Sequence, residues 1–494
     1  MTCHRLLIVL GMLMLLPAPR SEAAPALQLS YASTLPGNQL QIDTTGLTLR
    51  ARDADGTLRW TYQVQQATDG SDCSGELWLT PLLQDANADG RIDASQGERA
   101  RLLLAVRWQS QGRSHSAVVA LEASLPGPPQ QLWRRDDEQL VALAELVTAP
   151  TAARLRIGQL NHDSAQWVLM LGAGLPRAAT ANHPARSGAQ LLILDAQDGR
   201  TLWQAGGTSS TGTDQRFAAL QHAVAATLTV LDTDHDGYAD RLYVGDWNAV
   251  LWRFDFTAGA SASRLAAGGI LAQLADSAHP LSRGFLAAAD VALLRSGSTQ
   301  WFNVALGSVA TGRAPAGAQA LFVLRDRQPF APLNQKQYDA LPPLLAADLP
   351  VLDAGTSQSV SDTAPGWQLR LGSGQSITRA LTLGGVLLFT QVLSPPALEL
   401  LACRTKQPRV QVAVGALAAI TGLPALDLNQ DGHRDAQDLA VVMPQVDALQ
   451  ASLMPAPPTD NPSAPGCLLD GLTVPGCPAV PPPTLLYWRR DDAD

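Results

Sequence analysis

The feature that most constrains this fold is the alternation of short apolar runs with turns rich in Gly, Asp and Asn. The runs include ARLLLAVRWQ (100–109), SHSAVVALEA (114–123), QWVLMLGAG (166–174), AQLLILDA (189–196), QWFNVALGS (300–308) and AQALFVLRD (318–326). Helical periodicity is scarce between them. Many short strands separated by turns predict a mainly β chain that folds as a sandwich, a barrel or a propeller.

A local repeat favours the propeller. DADGTLRW (Asp53 to Trp60) and DAQDGRTLW (Asp195 to Trp203) each place an Asp-Gly turn before a strand that ends in Trp, and GDWNAVLW (Gly245 to Trp252) is a looser copy. Asp-Gly supplies the positive φ angles of a tight hairpin turn, and the Trp would fill the wedge between neighbouring blades. Hairpins use such turns in other folds too, but the recurrence with Trp favours blades.

Two patches near the C-terminus predict a small helical insertion. They are QVAVGALAAITG (411–422) and the segment Asp435 to Met454, in which Pro444 would bend or split the helix. The Pro-rich tail over 455–483 predicts extended loop, and LLYWRR (485–490) predicts a closing strand.

An acidic loop predicts a calcium site. Calcium loops place oxygen ligands at positions 1, 3 and 5, glycine at position 6 and a backbone carbonyl at position 7. In VLDTDHDGYADRLYVGD these are filled by Asp232, Asp234, Asp236, Gly237 and Tyr238, and Asp240 follows at position 9. Position 12 is Tyr243, which excludes an EF-hand. Bunched carboxylates repel one another unless a cation is present, so calcium is favoured over a solvated acidic turn.

Two other loops share this spacing. The second candidate site consists of Asp85, Asn87, Asp89, Arg91 (carbonyl) and Asp93. The third, which is dockerin-like or EF-like, consists of Asp427, Asn429, Asp431, His433 (position 7), Asp435 and Asp438. Three copies in one chain are difficult to attribute to chance.

Charge and the N-terminus bound the class of protein. The net charge is −9 and Lys336 and Lys406 are the two lysines, so nucleic-acid binding is not expected. The apolar run LLIVLGMLMLL precedes RSEAAPA, and we expect a secretion signal over 1–23, cleaved after Ala23; an uncleaved anchor is the alternative. No later run reaches eighteen apolar residues, which predicts an exported protein without a transmembrane segment in its mature form.

Cysteines and catalytic motifs give less information. Cys73, Cys403, Cys467 and Cys477 remain after signal cleavage and could form two disulfides, in any of three pairings. Gly-x-Ser-x-Gly, His-Glu-x-x-His and phosphate-binding motifs are missing from the sequence, and the eight histidines are scattered. Quinone-dependent dehydrogenases are propellers with Asp-Gly…Trp repeats, but their repeats are more regular and they carry adjacent cysteines. No catalytic residue and no organic cofactor are predicted.

The acidic loop and the strands after it, LDTDHDGYADRLYVGDWNAVLWRFD, resemble a segment of a known family. They are similar to the calcium loop and following strands of the PilY family of type IV pilus tip-associated biogenesis proteins, and the likeness extends in order from about Trp167 to Arg490. The resemblance implies a modified, seven-bladed β-propeller with Ca²⁺ held by Asp232, Asp234, Asp236, Asp240 and the Tyr238 carbonyl. It implies action with minor pilins in pilus assembly and retraction, with a host or abiotic surface as a further partner.

The resemblance also suggests a domain organisation. We expect a signal peptide over 1–23, an N-terminal β-rich region over 24–140, a PilY-like propeller core over 141–400, and a C-terminal segment over 401–494 with the third acidic loop, the cysteines and the closing strand. The Asp-x-Ser-x-Ser motif of the von Willebrand A-like domain in larger relatives is missing from the sequence, which predicts a short form. The competing hypothesis is a secreted adhesin or lectin-like propeller unconnected to pili.

Overall fold

The computed structural model describes about seven tenths of the sequence. The described residues are 27–31, 39–65, 75–87, 89–110, 113–140, 143, 146–158, 166–175, 189–276, 282–311, 319–352, 359–372, 375–394, 409–426, 428, 433–438, 440–442, 446–447, 453–455, 467–469 and 472–473.

The described strands form successive, mainly antiparallel sheets, numbered here in chain order. Sheet 1 contains β1 (Leu27–Ser30), β2 (Gln39–Thr45), β3 (Thr48–Asp53) and β4 (Leu58–Gln63). Sheet 2 contains β5 (Glu76–Gln84), β6 (Arg99–Ser110), β7 (Arg113–Glu122) and β8 (Gln130–Asp136). Sheet 3 contains β9 (Thr151–Leu155), β10 (Gln166–Gly172), β11 (Gln190–Asp195), β12 (Thr201–Gly206) and β13 (Gln215–Arg216). Sheet 4 contains β14 (Thr229–Leu231), β15 (Arg241–Gly245), β16 (Val250–Phe256) and β17 (Ala266–Gln273).

The later sheets are less regular. Sheet 5 contains β18 (Arg283–Phe285), β19 (Asp290–Ser296), β20 (Thr299–Ala310), β21 (Ala320–Asp326), β23 (Val351–Leu352) and β24 (Gly366–Arg370), while β22 (Leu344–Leu345) joins sheet 4 beside β17. Sheet 6 contains β25 (Ser376–Leu383), β26 (Val386–Ser394), β27 (Arg409–Ala418), β28 (Ala440–Val442) and β29 (Val446–Asp447). Sheet 7 contains β30 (Leu453–Pro455), β31 (Cys467–Leu469) and β32 (Leu472–Thr473). The helical elements are α1 (Gln335–Ala340) and short 3₁₀ turns at Ala94–Gln96, Ala262–Arg264, Ala346–Asp348 and Ala436–Asp438.

Sheets that follow one another in the chain pack face to face. Leu49 of sheet 1 and Leu102 of sheet 2 share one apolar cluster, and Leu103 of sheet 2 shares another with Leu169 of sheet 3. Larger clusters join sheets 3, 4 and 5, and then sheets 5 and 6. Such stacking is typical of propeller blades. The prediction of a mainly β fold is confirmed, while the propeller arrangement and its blade number remain predictions.

Buried tryptophans connect neighbouring sheets, and one of them, Trp203, is a tryptophan of the Asp-Gly…Trp repeat. Trp203 is fully buried and packs edge-on against Phe256 of sheet 4, with ring centroids 6.4 Å apart. Trp133 of sheet 2 donates from its indole N–H to the Ala196 carbonyl of sheet 3 at 3.1 Å. Trp367 of sheet 5 donates in the same way to the Ala419 carbonyl, next to sheet 6, at 3.2 Å. Trp203 therefore fills a gap between sheets, and the hydrogen bonds of Trp133 and Trp367 also fix the relative position of the sheets that they join.

The prediction of a helical insertion near the C-terminus is wrong over the described residues. QVAVGALAAITG contributes most of β27, which pairs with β26 on one side and β28 and β29 on the other. The second patch contributes a 3₁₀ turn, β28, β29 and the start of β30. A central strand that is buried on both faces gives a continuous apolar run, which sequence periodicity does not distinguish from a buried helix.

Several sequence predictions fall outside the described residues. These are the signal peptide over 1–23, the closing strand LLYWRR, and three of the four cysteines, Cys73, Cys403 and Cys477. Within the described ranges, no helix has the length and apolar character needed to traverse a bilayer.

Candidate metal centre

The first acidic segment forms the hairpin loop between β14 and β15 of sheet 4. Asp232 directly follows β14, and Asp240 directly precedes β15. Leu231 pairs with Arg241 in the antiparallel register, and the Asp240 N–H donates to the Leu231 carbonyl oxygen at 2.9 Å. Strand pairing therefore brings the two ends of the loop side by side.

Side-chain oxygens of the loop hold its backbone in a tight turn. Asp232 Oδ2 accepts the Gly237 N–H at 2.8 Å, Asp234 Oδ1 accepts the Asp236 N–H at 3.1 Å, and Asp236 Oδ1 accepts the Tyr238 N–H at 2.9 Å. Gly237 has a φ of 84°, which a residue with a Cβ adopts only at a cost. The Asp spacing thus shapes the loop, in addition to supplying charge.

Three carboxylates converge at the mouth of this loop. One oxygen each from Asp232, Asp234 and Asp240 lie within 4.8 Å of one another, and no other His, Cys, Asp or Glu trio of the described residues meets this criterion. Asp240 Oδ2 also accepts the N–H and the hydroxyl of Thr233, at 2.6 and 2.8 Å. These three aspartates are referred to below as the acidic triad.

The electrostatics of the triad fit a hard cation. Asp232 is half-buried; burial raises the pKa of its carboxyl above the ordinary value, and the neighbouring carboxylates of Asp240 and Asp236 add to the rise. Like charges this close are unfavourable unless a cation is present. Carboxylate oxygens without nitrogen or sulfur donors form the ligand set that calcium prefers.

Asp236, the fourth predicted carboxylate ligand, lies in a different environment. Its Oδ2 forms an ion pair with Arg156 Nη1 at 2.9 Å. The Arg156 guanidinium also lies 3.7 Å from the ring centroid of Tyr238, and Arg154 donates to the Tyr238 hydroxyl at 3.0 Å. Since both arginines belong to β9 or the segment after it, the loop is tied to sheet 3 through Asp236 and Tyr238.

The second acidic loop, between β5 and β6, repeats the same turn. Asp85 accepts the Gly90 N–H, Asn87 accepts the Asp89 N–H, and Asp89 accepts the Arg91 N–H, each at 2.8 Å. Asp93 differs, because its oxygens accept hydrogen bonds from Ser95 and Gln96 and cap a 3₁₀ turn.

Sequence reasoning missed Glu98, which closes the second loop. Its carboxylate is buried and accepts the N–H groups of Ala86, Asn87 and Asp93, at 2.9 to 3.3 Å. Asp240 accepts the equivalent N–H of Thr233 in the first loop. The sequence could have indicated this role, because Glu98 and Asp240 each directly precede the strand that follows their loop.

The third acidic loop is only partly described. Asp427, Asn429 and Asp431 lie outside the described residues, whereas His433, Asp435 and Asp438 lie within them. Asp438 is fully buried, and it accepts the Leu428 N–H at 2.7 Å and the Asp435 N–H at 2.9 Å. Its position therefore resembles that of Glu98, as a carboxylate that holds the loop closed.

A buried ionic cluster, also missed from sequence, lies directly behind the acidic triad. Arg241, the residue after Asp240, donates from Nε to Asp255 at 2.6 Å, and Arg253 lies 2.9 Å from Asp255 and 2.8 Å from Asp326. Burial raises the pKa of the Tyr243 hydroxyl, and the Asp326 carboxylate adds to the rise, so this hydroxyl stays protonated and donates to Asp326. The feature of the sequence that could have indicated this cluster is the alternation of Arg and Asp in WRFDF, which contains Arg253 and Asp255.

The cluster also binds a stretch of main chain before α1. The Arg241 guanidinium donates to the carbonyl oxygens of Gln328, Pro329 and Ala331, at 2.8 to 3.1 Å. Arg241 is thus bonded to sheet 4 and to the 328–331 segment at once. The acidic triad is therefore anchored by one end to the core of the fold.

Comparison with known proteins identifies relatives of this fold. No family model matches the chain. The type IV pilus biogenesis factor PilY1 of Pseudomonas aeruginosa strain PAO1 is 30% identical over 142 residues, which is 29% of this chain and 10% of that protein. PilY1 of strain UCBPP-PA14 is 26% identical over 176 residues, 36% of this chain and 12% of that protein. The match therefore spans about a tenth of the length of these relatives.

The fold itself matches a solved structure. The crystal structure of the P. aeruginosa PilY1 C-terminal domain aligns with a TM-score of 0.60 at 17% identity, covering 92% of this chain and 100% of that domain. At this identity the likeness establishes the fold alone. Together with the sequence matches to PilY1, it supports a relationship of this chain to the C-terminal region of the PilY family.

Proposed function

We propose that this protein is a calcium-binding, non-enzymatic β-propeller that acts in type IV pilus assembly and retraction at the pilus tip or cell surface. Its similarity to PilY1, described as a type IV pilus biogenesis factor, supports the pilus role. The acidic triad carries the calcium part of the proposal. Export through a cleaved signal and contact with minor pilins complete it.

The mechanism follows from where the loop is anchored. When bound, a calcium ion would supply positive charge to Asp232, Asp234 and Asp240, which otherwise repel one another. The same loop contacts Arg154 and Arg156 of sheet 3 through Tyr238 and Asp236. Order in the loop therefore stabilises the contact between sheets 3 and 4 and the outer face that pilus components would meet.

A deletion strain provides the functional test. We expect the strain to lose surface pili and twitching, and the wild-type gene to restore both. Asp234→Asn should restore them poorly, because it removes a triad charge while keeping the Oδ1 acceptor. The matched control is Asp55→Asn, since Asp55 Oδ1 accepts the Thr57 N–H at 2.9 Å in a turn outside the acidic loops.

The outcomes separate the alternatives. Normal piliation in the deletion strain, with no protein in the sheared pilus fraction, would favour a secreted adhesin or lectin-like protein over a pilus factor. If Asp234→Asn restored piliation and twitching as well as the wild-type gene does, the result would refute the calcium part of the proposal and leave the pilus role intact. A chromophore formed on adding pyrroloquinoline quinone would instead support an enzyme.

A further inference from the structure

A solvent-accessible pocket lies between sheets 2 and 3. Its volume is about 320 Å³. Sheet 2 contributes Gln84, Arg99 and Arg101 to its lining, and sheet 3 contributes Gln166, Trp167, Asp195 and Gln197. Ligand sites occur preferentially at such junctions between structural units. This space is called the inter-sheet pocket below.

The strand pattern explains why a pocket forms here. Leu82, Leu103 and Leu169 pack in the apolar interface between the two sheets. Side chains two residues apart point to the same face of a strand. Gln84, Arg101 and Trp167 each lie two residues from one of these leucines. The apolar interface therefore ends in polar and amphipathic side chains, and the sheets are held apart at this edge.

The charges in the pocket favour an anion. Arg99 is exposed and has no hydrogen bond or ion pair among the described residues. Arg101 forms an ion pair with Glu122, whose carboxylate oxygen lies 3.6 Å from Nε, but this Nε has no hydrogen-bond partner among the described residues. Asp195 is already engaged, since it accepts the Gln197 N–H at 2.8 Å and lies 3.4 Å from Arg200.

The equivalent arginine in sheet 4 shows what Arg99 lacks. Arg99 and Arg241 each directly follow the carboxylate that closes an acidic loop, and each begins the strand after it. Arg241 pairs with Asp255 on the strand that follows it and donates to that carboxylate. Arg99 pairs with Gln84 on the strand that precedes it and has no carboxylate partner among the described residues. The same position thus presents an unpaired guanidinium to the pocket in sheet 2.

The remaining lining suits a sugar ring. The half-buried Trp167 provides an aromatic wall, against which the C–H groups of a pyranose can pack. Gln84, Gln166 and Gln197 bring amide donors and acceptors of the kind that bind hydroxyl groups. A bidentate guanidinium provides directional recognition of a carboxylate.

We propose that the inter-sheet pocket binds an acidic saccharide of the uronic-acid class. Its carboxylate contacts Arg99 and Arg101, one sugar face packs on Trp167, and its hydroxyls bond to the glutamines. This site does not depend on a role in pili.

Calorimetric titration of the purified protein tests this site. The probe is trigalacturonic acid; maltotriose is the neutral matched sugar, and citrate is a carboxylate without a sugar ring. We expect trigalacturonic acid to bind at least tenfold more tightly than either, and more weakly as salt is raised. Arg99→Gln should weaken binding about tenfold or more, as expected for a lost charge-assisted hydrogen bond. Arg113→Gln, at an exposed arginine of β7, should leave it unchanged.

Trp167→Phe provides a second variant that retains an aromatic face, and it should bind more weakly than wild type but more tightly than Arg99→Gln. No measurable binding of trigalacturonic acid would overturn the proposal. Equal affinity for maltotriose would overturn the role of the carboxylate, and equal affinity for citrate would overturn the role of the sugar. An Arg99→Gln variant that binds as wild type does would overturn the assignment to this pocket.

Discussion

The acidic triad predicts that Asp234→Asn changes stability in opposite directions with and without calcium. Asn at this position keeps an oxygen that accepts the Asp236 N–H, so the turn itself is preserved. It removes one of three mutually repelling charges. The variant should therefore be more stable than wild type in chelator and less stable in calcium.

The size of the effect follows from the spacing of the carboxylates. Their oxygens lie at most 4.8 Å apart, where two unit charges in water repel by about 0.9 kcal/mol. Asp234 takes part in two of the three pairs, so its neutralisation stabilises the apo loop by about 1–2 kcal/mol at low ionic strength, and by less in salt. Wild-type protein at a calcium concentration 100 times its Kd gains about 2.7 kcal/mol, which the variant should largely lose.

The assay is thermal unfolding of purified wild-type and Asp234→Asn protein, each measured in EDTA and in calcium at low ionic strength. We expect the variant to have the higher Tm in EDTA and the wild-type protein to have the higher Tm in calcium. Asp55→Asn should shift Tm equally in both conditions, because Asp55 lies in a turn between β3 and β4 outside the acidic loops. A variant that is less stable than wild type even in EDTA, or that retains the full calcium shift, would refute the electrostatic reasoning.

Three further predictions concern the surrounding fold. Arg241→Met removes one of the two buried arginines that pair with Asp255 and should destabilise the protein by about 3–5 kcal/mol in chemical denaturation. Arg264→Met, at an exposed arginine, should have little effect, and equal denaturation midpoints for the two variants would count against the ionic cluster. Burial raises the pKa of Asp290 to about 6, so the contribution of its neutral form to stability is lost as pH rises through about 6. Asp290→Asn should therefore raise Tm more at pH 8 than at pH 5, and an equal shift at both would contradict this. Gly237→Ala forces a Cβ into a positive φ and should cost about 1–2 kcal/mol and weaken calcium binding in a titration; Gly127→Ala, at an open position without that constraint, serves as the control.

The strands and turns were largely predictable from sequence because their causes are local. Alternation of apolar and polar residues, Asp-Gly turns and buried tryptophans gave the mainly β class and the sheet-to-sheet role of Trp203. The same reasoning failed for the segment 411–422, since a strand buried on both faces has no alternation of apolar and polar residues to detect. This strand is buried because it lies between β26 and β28, which come from other parts of the sequence.

The acidic loops show the same division. Their Asp spacing determines the turn through hydrogen bonds between neighbouring residues, so the sequence identified them. Their final form depends on partners whose proximity the sequence does not show. Arg156 forms an ion pair with Asp236, which lies outside the acidic triad, and Glu98 closes the second loop.

The sequence by itself thus determined the elements and the turns, because those depend on interactions between residues a few positions apart. Only the tertiary structure decided which charges meet across sheets. It paired Arg241 with Asp255 in a buried cluster, and it left Arg99 unpaired at the edge of the inter-sheet pocket. Identical residue types at equivalent positions differ in this way because the energy of a charge depends on its burial and its partners, and packing between distant segments sets both.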